Sequence, residues 1–296
     1  MVLGLCLADK PDIQEQRHQA LFRSRRMVGG VLARRVPWQT LVTLGDKIIG
    51  GGTLIGKRWV LTAGRNLFTN ASRNATLYQA PAIPKVYLSI TDLREREETF
   101  NEVKVDQVFL HPNFQNTSDW ENDLALIRLK EDLFLDGNVK PLSLPEKDYA
   151  LMGTQGDVSG WGRNALLQYS RLLKTLTLTV ANHTMCKETY SSGGQVVSST
   201  PIVDDNMFCT EATSYREDVC IGDAGGAFAV QDPKDGKVYV AGVLSFDKSC
   251  AVERYAVFMK ISAYVPWIKI LIWGKEKPIQ TSVIFIAFGN PYHKQD

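Results

Sequence analysis

The chain has 296 residues, a formal net charge of +2 and 44% hydrophobic residues, enough length and apolar material for one large all-β domain or two smaller ones. Acidic and basic residues are interspersed without a Lys/Arg stripe, which excludes the electrostatic footprint of nucleic-acid binding. No apolar run approaches the roughly 20 residues that span a bilayer, so neither a membrane nor a nucleic acid is an expected partner; a protein or a small ligand is.

In chain order, residues 1–8 (Met-Val-Leu-Gly-Leu-Cys-Leu-Ala) read as a truncated signal-peptide remnant with a small residue at the cleavage point, or else as a mildly apolar terminus. Residues 9–26 form a short polar, basic leader ending in Arg23-Ser-Arg-Arg26, a processing site or linker. From residue 36 onward, short β-branched or apolar runs alternate with Gly, Pro, Asn and Asp clusters, the pattern of an all-β barrel or sandwich. Strands are predicted at Gln39–Leu44, Gly52–Ile55, Trp59–Thr62, Lys85–Ser89, Val103–Leu110 and Leu124–Leu129. Five more follow at Asp157–Gly160, Leu172–Val180, Ala227–Val230, Val238–Ser245 and Ala256–Ile261. Helical periodicity emerges at Tyr264–Ile272, where Pro266 fits only in a first turn. The tail, residues 273–296, holds an apolar burst, Val283-Ile-Phe-Ile-Ala-Phe288, that reads as an added strand, an aggregation-prone segment or a gene-model artefact.

If the signal remnant is removed, Cys6 leaves with it, and Cys186, Cys209, Cys220 and Cys250 remain. Widely spaced and even in number, they fit two disulfides in an oxidising compartment, with three pairings open. No C-x-x-C or H-x-x-H pair offers chelation, so neither a metal nor a cofactor is expected. Sequons at Asn70, Asn74, Asn116 and Asn182 lie in polar, turn-like surroundings and support secretion.

Five motifs then follow in one order. Met27-Val-Gly-Gly30 with Pro37-Trp-Gln39 resembles the mature start of a chymotrypsin-like serine protease domain. Trp59-Val-Leu-Thr-Ala63 resembles the strand before that family's catalytic histidine, and Asn122-Asp-Leu-Ala-Leu126 its aspartate motif. Ser159-Gly-Trp-Gly162 resembles a barrel turn, and Gly222-Asp-Ala-Gly-Gly226 the nucleophile loop. The resemblance covers residues 27–272 and implies two six-stranded antiparallel β-barrels with a C-terminal helix.

It also implies a degenerate triad. In the working triad a serine attacks, a histidine takes its proton and a buried aspartate orients the imidazolium. Asp123 stands at the aspartate position, whereas Arg65 stands at the histidine position and Ala224 at the serine position. A guanidinium stays protonated at physiological pH and is no general base, and a methyl group is no nucleophile. His18, His111, His183 and His293 fall outside the triad motifs. An ion pair between Arg65 and Asp123 is expected, because a buried carboxylate left without its partner costs several kcal/mol. By the same resemblance, Asp218 lies at the base of the specificity pocket, with Lys248 placed to neutralise it. Phe246 and Ala256 stand on pocket walls that are more open in active members.

Further strings are more specific: Gly160-Trp-Gly-Arg-Asn-Ala165, Asp218-Val-Cys-Ile-Gly-Asp-Ala224, Leu244–Val252, Lys147-Asp-Tyr149 and Asn66-Leu-Phe68. They resemble a catalytically inactive plasma branch of the family. That resemblance implies capture of free haemoglobin as the αβ dimer, limiting haem-driven oxidation and iron loss, and clearance by a receptor. It pairs Cys186 with Cys209 and Cys220 with Cys250. It makes Arg26–Met27 the processing bond, the freed Met27 ammonium pairing with Asp223. Ser143, in Pro141-Leu-Ser-Leu-Pro145, replaces the cysteine that ties this domain to an N-terminal chain, and residues 9–26 are too few for a complement-control module. The expected protein is therefore a short form without the usual disulfide-linked multimers. The competing reading is another secreted pseudoprotease, acting as a complement-type regulator or binding module; an active protease is the least favoured.

Overall fold

Turn residues and short alternating runs commit this chain to strands too short to stand alone, and pairing them buries their apolar faces. The structure, a computed structural model, describes residues 30–33, 35–97, 101–163, 168–191, 202–211, 219–220, 222–246 and 255–274. The chain enters by β1 (Val31–Leu32), then β2 (Gln39–Leu44), β3 (Lys47–Gly56), β4 (Trp59–Thr62), a helical turn α1 (Arg73–Thr76) and β5 (Lys85–Leu88). Next come β6 (Glu102–Val103), β7 (Val105–Leu110), β8 (Ala125–Leu129), β9 (Gln155–Gly160), β10 (Lys174–Thr179) and helix α2 (His183–Ser191). The last elements are β11 (Met207–Thr210), β12 (Ala227–Gln231), β13 (Val238–Phe246), β14 (Ala256–Lys260) and helix α3 (Ile261–Trp273).

Among the described residues these strands form two antiparallel sheets, ordered β6-β5-β2-β3-β4-β8-β7 and β1-β10-β9-β12-β13-β14-β11. In the first, the two end strands are consecutive in the chain and separated only by Lys104. Val103 pairs with Val86 on β5, while Val105 pairs with Leu129 on β8. The predicted single strand 103–110 is thus two, and the crossing at Lys104 rolls the sheet into a barrel. Each sheet counts seven strands where six were expected, because β1 and β6 add two-residue edges against β10 and β5.

Side-chain size sets the packing. Along β10, Leu176 and Leu178 turn inward while Thr177 faces solvent. In the second barrel, the rings of Phe208, Phe228 and Phe258 meet with centroids 5.2 to 5.5 Å apart. Gly156 makes room for them, since a Cβ there would lie 2.5 Å from the Phe228 ring. Each fully buried Phe or Leu contributes about 1.5–3 kcal/mol of apolar burial. A further cluster joins Leu61, Leu124 and Leu126 of the first barrel to Val240, Val243 and Met259 of the second, so the seam between barrels is itself core.

Further elements differ from expectation, among them β1, the turn α1 and β3, which begins at Lys47 and not at Gly52. β11 and α2 were not predicted: four residues are too few to show alternation, and α2 rests on its Asn182 cap, whose Oδ1 accepts the Met185 N–H at 3.1 Å. Helix α3 starts at Ile261, three residues early, because Ile261 and Tyr264 are buried with Ile268. Pro266 therefore sits in the second turn, not the first, and the helix forgoes a hydrogen bond to the Ser262 carbonyl. No helix among the described residues is long and apolar enough to cross a membrane.

Candidate functional site

The positions read as a relic triad meet at the seam. β4 ends at Thr62, and the 3-10 turn Gly64–Leu67 carries Arg65 and Asn66. Asp123 stands just before β8, Ala224 in the loop before β12, and Ser245 near the end of β13. The Asp123 side chain is wholly buried. Its Oδ1 accepts the Arg65 backbone N–H at 2.8 Å and its Oδ2 accepts the Ser245 hydroxyl at 2.6 Å. The Arg65 Nε lies 3.8 Å from Oδ2, a long ion pair in which the guanidinium side chain is 15% exposed. Hydrogen bonds to a charged acceptor are worth about 1.5–3 kcal/mol each, so the short donors carry more of Asp123's stabilisation than the guanidinium does.

The guanidinium also stacks on Trp120, 4.3 Å from the ring centroid. Trp120 packs edge-on against Phe246 at 5.1 Å, and Phe246 against Tyr190 at 5.9 Å. Trp120 and Asn122 hold left-handed backbones, φ +70° and +47°, a strained pair that aims the indole over Arg65. Asn122 is anchored on both sides: Tyr264 Oη donates to its Oδ1 at 3.1 Å, and its Nδ2 donates to the Asn113 carbonyl at 3.0 Å.

Across the seam, the loop Gly222–Gly226 is fixed by backbone contacts. The Ala224 carbonyl accepts the Gly51 N–H and the Asn66 Nδ2, both at 2.8 Å, while the Gly225 N–H donates to the Leu244 carbonyl at 2.7 Å. Gly225, with φ +91°, lies where a Cβ would fall 2.1 Å from the Gly51 carbonyl, so a side chain is excluded twice. Asp223 is buried and accepts N–H groups from Gly162 at 2.7 Å and Cys220 at 2.9 Å. A Cβ on Gly160 or Gly162 would come within 2.1 Å of its carboxylate, which gives the Gly-Trp-Gly turn its physical reason.

The other predicted residues fall as follows. Cys186 and Cys209 are joined by a disulfide with Cα atoms 6.4 Å apart. Cys220 is buried and disulfide-bonded, and Cys250 lies outside the described residues. Arg26, Met27, Asp218 and Lys248, with the readings of residues 1–26 and of the tail beyond Gly274, also lie outside them. Ala256 is buried and pairs with Thr210. Asn70, Asn74, Asn116 and Asn182 are all exposed. The first three sit on two loops stitched together by Arg73 Nε to the Gln115 carbonyl, 2.9 Å, and Gln115 Nε2 to the Ala71 carbonyl, 3.0 Å.

A titratable cluster lies behind Asn122. His111 is wedged edge-on between Tyr264 and Trp267, at 5.3 and 4.9 Å, and burial lowers its pKa although the nearby Glu121 opposes this. Burial raises Glu121, but hydrogen bonds from Thr117 and Ser118 outweigh it and hold the carboxyl below its ordinary value. Asp204 is raised, first by burial, with Glu121 adding to the effect.

Sequence reasoning missed Trp120, and it named Asn66 and Ser245 only as parts of resemblance strings, without their site contacts, because each acts on a residue brought to it by the fold. Chemically, the site offers a methyl group, a guanidinium and a fully bonded carboxylate.

Residues 28–268 match the family model described as Trypsin, and the chain belongs to the trypsin family. Within that class it is similar to haptoglobins along most of its length, which makes it a haptoglobin-like member with a protease-like chain. Haptoglobin of Pongo abelii is 37% identical over 255 residues, covering 83% of this chain and 70% of that protein. Human haptoglobin is 36% identical over 255 residues, with coverage of 83% and 59%. Haptoglobin of Canis lupus familiaris is 35% identical over 260 residues, with coverage of 84% and 75%. The chain thus spans between about three fifths and three quarters of these relatives' lengths.

Proposed function

We propose that this protein is a non-enzymatic, secreted plasma protein that captures free haemoglobin and so limits haem-driven oxidative damage and iron loss. The observation that carries the reading is the likeness to haptoglobins along 83% of the chain. The site supports the non-enzymatic part: Ala224 has no nucleophile, and Arg65 gives no base in the space beside Asp123. Trp120 and Tyr190 pack edge-on against Phe246, which supports the reading of a narrowed specificity pocket.

The remaining assignments belong to the same proposal. Residues 27–272 are the protease-homology domain, and cleavage after Arg26 frees the Met27 ammonium to pair with the buried Asp223. Cys220 pairs with Cys250, and the four exposed sequon asparagines carry glycans. The partner is the haemoglobin αβ dimer, and the complex is cleared by a receptor. Size-exclusion chromatography of the purified protein with free haemoglobin tests the reading: a co-migrating complex at micromolar concentrations is expected, and separate elution refutes it. Recovery from plasma of a protease or complement component in place of haemoglobin favours the regulator reading.

A further inference from the structure

A groove of about 550 Å³ lies between the β3–β4 turn, the segment Pro141–Glu146 and the C-terminal end of α3. Its apolar lining includes Trp59, Leu142, Leu144, Ile272 and Trp273. Trp273 is 66% exposed, and Ile270 beside it on α3 is 65% exposed. The charged side chains of the lining are Lys57, Arg58, Asp132, Glu146 and Lys269, and Lys269 lies 5.6 Å from the Trp273 ring. The wall at Ser143 is tied down by backbone hydrogen bonds with Val238 and Val240, at 3.2 and 3.0 Å, so the groove is a built depression. Within this mixed lining, the exposed Trp273 with Ile272, Leu144 and Trp59 supplies apolar side chains against which a segment can dock.

The chain supplies a matching occupant. α3 ends at Trp273, inside the groove's lining, and residues 275–296 follow. They include Val283-Ile-Phe-Ile-Ala-Phe288, an uncharged β-prone run that is an aggregation hazard when left in water. Residues 274–282 span at most about 30 Å when extended, at ~3.3 Å each, and the groove begins at Trp273, so the tether is slack. A short tether sets an effective concentration in the millimolar range, so even a weak contact is populated. The leader, residues 9–26, is polar and basic and offers no comparable run.

We propose that this groove binds the chain's own C-terminal tail, with the Val283–Phe288 run laid against Trp59, Leu144 and Trp273. The contact covers the run and closes this face to other partners. It stands independently of haemoglobin capture.

Hydrogen–deuterium exchange of three chains tests it: the 296-residue protein, the same protein ended at Gly274, and the full-length Ile286→Asp/Phe288→Asp variant. Amides in 55–59 and 141–146 exchange roughly tenfold faster in both altered chains than in the parent. Adding a peptide of residues 279–290 to the shortened chain restores the slow rate. The double variant keeps the full length, so the result stands even where truncation prevents folding. Equal exchange in the parent and the double variant overturns the proposal. So does loss of protection confined to a fourth chain that lacks residues 1–26, which assigns the groove to the leader.

Discussion

The side-chain amide of Asn66 donates to the carbonyl oxygen of Ala224 at 2.8 Å, joining the turn after β4 of one barrel to the loop before β12 of the other. The same amide reaches Thr62 Oγ1 at 3.1 Å, and Thr62 in turn donates to the Gly51 carbonyl at 2.8 Å. Asn66 is buried, so deleting the amide leaves no water to replace it. Asn66→Ala is expected to cost about 2 kcal/mol, from two lost hydrogen bonds at a dry seam. Asn66→Asp should cost more, because it sets a carboxylate oxygen against a carbonyl. Urea unfolding of the two variants ranks them, and an Asp variant as stable as the parent refutes the seam contact.

Asp123 yields a second ordering. Ser245→Ala removes a 2.6 Å donor to a buried carboxylate and should cost about 1.5–3 kcal/mol. Arg65→Ala keeps the 2.8 Å backbone donor and loses a 3.8 Å ion pair to Asp123 that reaches solvent, together with the stack on Trp120. Its cost should stay near 1 kcal/mol, screening included. Denaturation midpoints for both variants decide the matter: an Arg65 loss larger than the Ser245 loss means that the guanidinium, not the hydroxyl, is the main partner.

How far the sequence carries these conclusions differs by residue. Trp59–Thr62 was legible to its last residue, because an apolar run between a Lys-Arg turn and an Ala-Gly break has no other reading. Asp123 and Ala224 were readable as positions because each sits inside a contiguous motif, and Arg65 because it stands two residues after Trp59-Val-Leu-Thr-Ala63. Asn66 and Ser245 fall in strings that carry the resemblance, but their contacts were not readable, because these span 158 and 122 residues and leave no local trace. Lys104 shows the same limit: one unbroken β-prone run crosses between the two edges of a sheet, and only closure of the barrel reveals the break. The role of the Gly-Trp-Gly turn was equally hidden, since the carboxylate it accommodates, Asp223, lies 61 residues further on.

Restoring a nucleophile alone should restore nothing. Among the described residues of the site, the triad's base position holds a protonated guanidinium, so Ala224→Ser gains a hydroxyl with no imidazole to accept its proton. The single variant is expected to remain unlabelled by a fluorophosphonate probe over hours. Adding Arg65→His supplies an imidazole next to Asp123, and the double variant should label slowly. Labelling of the single variant at the rate of the double shows that another base serves the site.

His111 makes acid sensitivity testable. Its folded pKa lies below the ordinary histidine value of 6.5 because burial between Tyr264 and Trp267 disfavours the imidazolium. The unfolded chain therefore binds the proton more readily, and stability falls as pH drops below about 6.5 until the folded-state pKa is passed. Glu121, which acts on His111, and Asp204, which is coupled to Glu121, work in opposite directions. Asp204, raised by burial, gains stability on protonation, whereas Glu121, held low by Thr117 and Ser118, loses it only in the carboxylate range. The decline between pH 6.5 and 5 thus belongs to His111. Replacing His111 with Gln removes the titration, so the variant should lose packing at pH 7.5 but show a flatter thermal midpoint from pH 7.5 to 5. A variant whose midpoint falls as steeply as the parent's across that range places the sensitivity elsewhere. A parent whose midpoint does not fall at all removes the burial argument itself.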